Sequence, residues 1–367
     1  MFLTILAALP FSLLLYPQLA LASASYSTKS TINRVVVVGG THGNEYTGVW
    51  CIKAIKKHLQ QNDKESLFQT KYPSLDISTL LANPQAHLEN KRFVDSDLNR
   101  EFPLKKLFHD NTDDEDMSVE EQLAQEINSL LGPKLEDTGS EQTDVVVDLH
   151  TTTANMGITV IVPEGDSLMA QAAAYVIAKC QEEKEQIKNV MNGQNGNDSQ
   201  SVVSCRCLMH SIPDKNLRPN LSSTGKHGFT IEVGPVPQGV LRHDAVENTQ
   251  RALHYLLEFL HKRNENEGQV SQELKTLYPE GKVPCFLSAP AKRSGEISGK
   301  ITWPCDDENP NFPTLIIHKN IQDKDFQIIR KGDPLFVRWD GSTINYNGSH
   351  GVSAIKDYFL LSLSFEP

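Results

Sequence analysis

Four β-branched residues in a row, Val35 to Val38, are closed by Gly39-Gly40 and followed by polar residues. An unbroken apolar run of this length, stopped by glycine, predicts a strand buried on both faces, as in a parallel sheet. From about Tyr46 to Leu59 apolar positions return every three or four residues, which predicts a helix. The alternation then repeats. Strand-like runs fall at Leu75 to Leu81, Val145 to Leu149, Ile158 to Val162 and Phe229 to Val233. Helical periodicity fills Gln171 to Val190 and the stretch from Asp244 to about Leu260. Ser118-x-x-Glu121 has the form of a capping box and opens another helix, ending near Gly132-Pro133. This order predicts an α/β domain over residues 33–264, with a mixed, largely parallel sheet flanked by helices. After Asn264 short strand-like runs, such as Leu315 to Ile317 and Leu335 to Val337, are separated by Gly, Pro and Asp. That texture predicts a small β-rich C-terminal domain over residues 265–367.

The first residues break the pattern. Met1 to Ala24 is almost wholly apolar, carries no Lys or Arg, and ends in the small-residue triplet Ala22-Ser23-Ala24. Residues 1–24 read as a signal or targeting leader, with Pro10 and Pro17 arguing against a membrane-spanning helix. The protein is expected to be secreted or organelle-targeted if this leader is real, and cytoplasmic otherwise. Six cysteines form no C-x-x-C pair; an even count suits an exported protein without establishing disulfides. The net charge of −11 argues against a general nucleic-acid binder, which needs a basic face for phosphates. It leaves room for an anionic small molecule, since a pocket can be locally basic inside an acidic protein.

Candidate chemistry gathers where buried strands stop. His42 and Glu45 lie in GGTHGNE after the first valine run, and His150 ends VVVDLH. Two imidazoles and one carboxylate are the ligand set of a hydrolytic zinc site with an open position. Such a site needs a general base for the attacking water, and Glu232 in FTIEVGP, near another strand end, is the candidate. Arg92 in NKRFVDSDLNREF can face a developing oxyanion. Asn99 and Arg100 in the same stretch can grip a carboxylate, the arginine through its planar fork. Taken singly, each of these residues could be structural; DLNR alone would pass for a helix start.

These segments resemble the aspartoacylase family, a branch of the aspartoacylase/succinylglutamate desuccinylase group with a zinc-carboxypeptidase-like fold. The similarity runs through GGTHGNEYTG (39–48), NKRFVDSDLNREF (90–102), EINSLLGPK (126–134), DLHTTTANMG (148–157), IEVGPVPQGVLR (231–242) and IHKNIQDKDFQIIRKGDPLF (317–336). The resemblance implies one zinc ion per subunit on His42, Glu45 and His150, with Glu232 as general acid/base. It implies that Arg92 polarises the acyl carbonyl, that Asn99 and Arg100 bind the α-carboxylate, and that Tyr358 contributes to the pocket. The implied activity is hydrolysis of an N-acyl amino acid, most simply N-acetyl, in a homodimer. The alternatives are a zinc carboxypeptidase or desuccinylase and, in another class, a non-catalytic zinc-binding relative. One departure bears on specificity. The family arginine that binds an aspartate side chain is replaced here by Ser222, and the tyrosine expected four residues earlier by Arg218. That loss resembles the sister branch acting on N-acyl aromatic amino acids, so the leaving amino acid stays open.

Overall fold

The computed structural model describes residues 31–60, 70–108, 117–134, 142–191, 203–287, 313–347 and 358–362. The leader at 1–24 and Cys305 lie outside the described residues. Among those described, Cys51, Cys180, Cys205, Cys207 and Cys285 are free thiols, and no helix is long and apolar enough to cross a membrane.

The valine run forms β1 (Arg34–Gly39), one strand in from the edge of a large sheet. Its neighbours are β2 (Asp76–Leu81) and β3 (Val145–Thr151), both parallel to it. β3 is buried along its whole length, as its apolar run requires. Next come β6 (His227–Gly234), parallel to β3, and β4 (Gly157–Pro163), antiparallel to β6. β5 (Cys205–His210), β7 (Lys282–Leu287) and β11 (Tyr358–Ser362) complete the order β11-β7-β5-β4-β6-β3-β1-β2. The sheet is mixed and largely parallel, as expected from the sequence. The ends of β1, β3 and β6 that follow the chain direction all lie along one edge, where open α/β sheets place ligands.

The helices are α1 (Tyr46–Gln60), α2 (Pro84–Leu88), α3 (Leu104–Leu107), α4 (Val119–Leu131), α5 (Ser167–Met191) and α6 (His243–Leu277). The Ser118/Glu121 capping box opens α4 with both reciprocal bonds made. The boundary expected between residues 264 and 265 falls inside α6. The polar run there only kinks the helix, at Asn266, and it resumes because Val270 and Leu274 are buried. The first compact unit therefore spans Asn33–Ser288 and recruits Tyr358–Pro367, because β7 and β11 pair within the large sheet.

The described part of the second unit, within Ala289–Asp357, is a three-stranded antiparallel sheet of β8 (Ile316–Ile317), β9 (Pro334–Val337) and β10 (Thr343–Asn345). Its small core joins Leu315, Ile317, Ile321, Ile329, Leu335, Phe336 and Tyr346. This is the β-rich texture expected, over a shorter stretch of chain.

Candidate active site

The turn after β1 is shaped by two glycines. Gly40 takes φ +73°, a left-handed conformation that side chains disfavour. A Cβ on Gly43 would lie 2.1 Å from the backbone carbon of Ala86, so no other residue fits. The Gly43 N–H donates to the Arg92 carbonyl at 3.1 Å, fastening the loop of His42 to the loop of Arg92. Across the sheet, His150 on β3 and Glu232 on β6 are direct Cα partners. Register therefore sets the candidate base beside a candidate ligand.

The three candidate ligands converge. His42 Nδ1 lies 2.6 Å from Glu45 Oε1, and His150 Nδ1 lies 3.0 Å from Glu45 Oε2. One ligand atom from each lies within 4.8 Å of the others, and all three residues are buried. Behind each imidazole stands a second carboxylate. His42 Nε2 is 3.1 Å from Asp97 Oδ1, and His150 Nε2 is 2.8 Å from Asp148 Oδ2. The Thr41 hydroxyl donates to the other oxygen of Asp148 at 2.7 Å. A carboxylate holding one ring nitrogen fixes the tautomer and presents the other nitrogen as a ligand.

Electrostatics agree with that geometry. Burial alone would push the His150 imidazole down, but the charges of Asp148 and Glu45 overturn it and hold it well above the usual range. Burial would raise the Glu45 carboxyl, yet His42 and His150 keep it well below the usual carboxylate range. The field that retains protons on these imidazoles equally favours a cation among them. The residues fit a divalent metal with three protein ligands.

The remaining candidates surround this cluster. Arg92 Nη2 donates to Asp97 Oδ2 at 3.1 Å, and its Nη1 to Glu45 Oε1 at 3.4 Å. Glu232 is pushed up to about 7; burial is the main cause, opposed by the charge of His150 and reinforced by that of Glu45. Asn99 Nδ2 is 3.3 Å from His150 Nε2, and its Oδ1 accepts the Leu221 N–H at 2.8 Å. Arg100 is exposed, with Nη1 donating to the Asn99 carbonyl at 2.7 Å. His42, Arg92, Asn99, Arg100, His150 and Glu232 all line one cavity of about 250 Å³. Tyr358 is placed only by its backbone. It opens edge strand β11, four strands beyond β6 and so roughly 19 Å away at about 4.8 Å per strand. Its side chain lies outside the described residues.

Asp97 and Asp148 were not assigned from the sequence. Asp148 precedes His150 by two on a strand, which sets both on one face, so its role was open to inference. Asp97 gives no such signal, because it also reads as the cap of Leu98–Arg100 that it is. Glu120 was missed as well. This buried carboxylate accepts from the N–H groups of Val94 (2.6 Å), Asp95 (3.0 Å) and Ser96 (3.0 Å) and from Asn83 Nδ2 (2.8 Å). It pins the loop that carries Arg92, Asp97, Asn99 and Arg100. Burial would raise its carboxyl, but those N–H groups hold it below the usual range. Its stabilising contribution is thus present above the unfolded value near 4.3 and lost as pH falls through the lower folded value. Glu120→Gln is expected to cost about 2 kcal/mol, because an amide NH₂ must face a backbone donor. Denaturant melts at pH 7 measure this; an unchanged midpoint would show that the loop does not depend on Glu120.

Ligand-type atoms, a partly buried acid and a guanidinium around one cavity make up a candidate metal-binding site. The comparisons make the assignment specific: the chain belongs to the succinylglutamate desuccinylase/aspartoacylase family, whose catalytic-domain model matches residues 31–260. A probable aspartoacylase of Nostoc sp. is 32% identical over 324 residues, covering 88% of this chain and 90% of that protein. An N-acyl-aromatic-L-amino acid amidohydrolase (carboxylate-forming) A of Danio rerio is 32% identical over 311 residues, covering 84% and 79%. Among solved structures, murine aminoacylase 3 superposes with a TM-score of 0.64 at 26% identity, covering 88% of each chain.

Proposed function

We propose that this protein hydrolyses the amide bond of N-acyl amino acids, most simply N-acetyl, releasing a carboxylate and the free amino acid. The observation that carries the reading is the direct pairing of Glu232 with His150 across the β6–β3 ladder, on a cavity shared with His42 and Arg92. Relatives named as aspartoacylase and as N-acyl-aromatic amino acid amidohydrolase support it. One zinc ion on His42, Glu45 and His150 would supply Lewis acidity, lowering the pKa of a water and polarising the amide carbonyl. Glu232 takes a proton from the attacking water on its carboxylate and passes it to the leaving amine. A partly buried carboxyl near 7 suits both transfers. Arg92 directs its guanidinium at the carbonyl oxygen as charge develops there. Asn99 and Arg100 hold the α-carboxylate and so fix the amide against Glu232. The family resemblance adds a homodimer, which sedimentation of the purified chain as a monomer would rule out.

The test is direct. Zinc-loaded protein is expected to release acetate from at least one of N-acetyl-aspartate, N-acetyl-phenylalanine and N-acetyl-tyrosine. Metal-replete protein that hydrolyses none of them, or cleaves a blocked dipeptide instead, overturns the reading.

A further inference from the structure

Glu120 pins the start of the loop that carries Arg92, Asp97, Asn99 and Arg100. A different residue holds its end. Lys134 follows α4 and is fully buried. Its own N–H donates to Asn128 Oδ1 at 2.9 Å, which fixes where the side chain starts. Its ammonium donates to the Phe102 carbonyl at 2.7 Å, the Arg218 carbonyl at 2.8 Å and Ser223 Oγ at 2.9 Å. Ser223 gives its own hydroxyl proton to the Asn220 carbonyl at 2.6 Å, so toward Lys134 it accepts. An ammonium has three N–H donors and a neutral amine two. Satisfying all three oxygens therefore takes the charged form.

These bonds join two segments distant in sequence. Phe102 closes the stretch of Asn99 and Arg100, while Arg218 and Ser223 flank a turn through Leu221. Two further bonds cross the same seam. The Phe102 N–H donates to the Pro219 carbonyl at 3.3 Å, and the Leu221 N–H to Asn99 Oδ1 at 2.8 Å. The second bond decides which end of the Asn99 amide faces the cavity. With Oδ1 engaged by Leu221, Nδ2 is turned toward His150, 3.3 Å from its Nε2. There it stands as a donor, which a carboxylate requires. If the Arg218–Ser223 turn drifts, Asn99 loses the bond that sets its amide, and the α-carboxylate loses a fixed donor. A buried cation is also a costly way to hold a fold together. Burial and the charges of Lys215 and Arg218 push the Lys134 amine down to about 7, with Asp214 opposing. Methionine would fill similar space without that cost, so what the ammonium adds is geometry.

We propose that Lys134 is a positioning residue for the substrate: its ammonium holds the Arg218–Ser223 turn against the Asn99–Phe102 segment and so presents Asn99 Nδ2 and Arg100 to the α-carboxylate. Lys134 lies outside the cavity lining and acts through Asn99. This inference rests on the hydrolase reading and adds a residue to it. A lysine that merely supported the fold would lower every activity in step with the folded fraction. A positioning lysine lowers recognition of the α-carboxylate and leaves the metal ligands and Glu232 as they are.

The experiment assays zinc-loaded full-length protein on N-acetyl-phenylalanine and N-acetyl-aspartate, each against its α-carboxamide, which lacks the group that Asn99 and Arg100 hold. In Lys134→Met the ratio of kcat/KM for acid over α-carboxamide is expected to fall about 10-fold, through KM, with the carboxamide's own kcat/KM unchanged within about twofold. Ser223→Ala removes one of the three acceptors, keeps Lys134, and is expected to lower the ratio about threefold. Acid and carboxamide falling by the same factor in Lys134→Met overturns the positioning role and leaves the hydrolase standing. Where circular dichroism shows that Lys134→Met does not fold, an unmoved ratio in Ser223→Ala overturns it instead. Calorimetric titration with L-phenylalanine, L-aspartate and their α-carboxamides needs no turnover. A wild-type preference for the free carboxylates that shrinks about 10-fold in Lys134→Met supports the role even if no substrate is cleaved, and in that event the hydrolase reading alone fails.

Discussion

Replacing Glu232 with glutamine is expected to cut turnover of an N-acetyl amino acid by 10³-fold or more, with metal content unchanged. The carboxamide fills the same volume and keeps a polar group opposite His150. It cannot take a proton from water at neutral pH or return one to an amine, and general acid–base groups contribute about 10²–10⁴-fold. None of the candidate metal ligands is altered, so bound zinc per chain should match the parent. A second readout separates lost chemistry from lost structure. The raised value of about 7 means that metal-free folded protein binds more protons at this carboxyl than the unfolded chain between about pH 4 and pH 7. Its stability therefore falls as pH climbs through that window, and stays lower above it. Glutamine has no proton to lose. Metal-free Glu232→Gln should melt above metal-free wild type at pH 8 and close to it at pH 4. Near-normal activity in the variant would remove Glu232 from the base role.

How much of the fold shows in the sequence depends on whether a residue's role is local. The runs at Val35–Val38 and Val145–Leu149 announce buried strands because every position is apolar and glycine or a polar turn stops them. His42, Glu45, His150 and Glu232 stand out for the same reason, each falling near the end of such a run, and the fold brings the first three together beside Glu232. β5 and β7 do not: Cys205–His210 mixes Arg and His into the strand, and Lys282–Leu287 lies inside the stretch expected to form a second domain. Both find their place through pairing, which periodicity does not encode. Near Asn264 a polar stretch inside a helix and a helix end look alike in sequence, and it is the burial of Val270 and Leu274 that carries the helix on. Asp97, Glu120 and Lys134 act on groups distant in sequence. Lys134, which donates to the carbonyls of Phe102 and Arg218 and to Ser223 Oγ, reads in isolation as a surface lysine after a helix.

The second large effect is expected at His150, and it is graded. His150→Ala removes one of three ligand atoms and also strands two buried carboxylates, since Glu45 lies 3.0 Å from Nδ1 and Asp148 2.8 Å from Nε2. Breaking a buried charge pair by deleting one partner costs about 3–5 kcal/mol. The variant should therefore copurify without zinc, lose detectable turnover and melt well below the parent, and added zinc should not restore it. Asp148→Asn keeps all three ligands and weakens only the group behind His150. Losing such a supporting carboxylate is expected to weaken metal binding by about 10–100-fold, so activity should return at raised zinc concentration. Thr41, whose hydroxyl donates to Asp148, should follow the same pattern more mildly in Thr41→Val. The ordering His150→Ala, Asp148→Asn, Thr41→Val in zinc affinity, read by competition with a chromogenic chelator, follows from distance to the cation. If Asp148→Asn bound zinc as tightly as wild type while His150→Ala lost it, the carboxylate would serve only to neutralise a buried imidazole. If His150→Ala itself retained one zinc per chain with wild-type affinity, the ion would sit elsewhere, and the buried cluster of His42, Glu45 and His150 would owe its convergence to ion pairing alone.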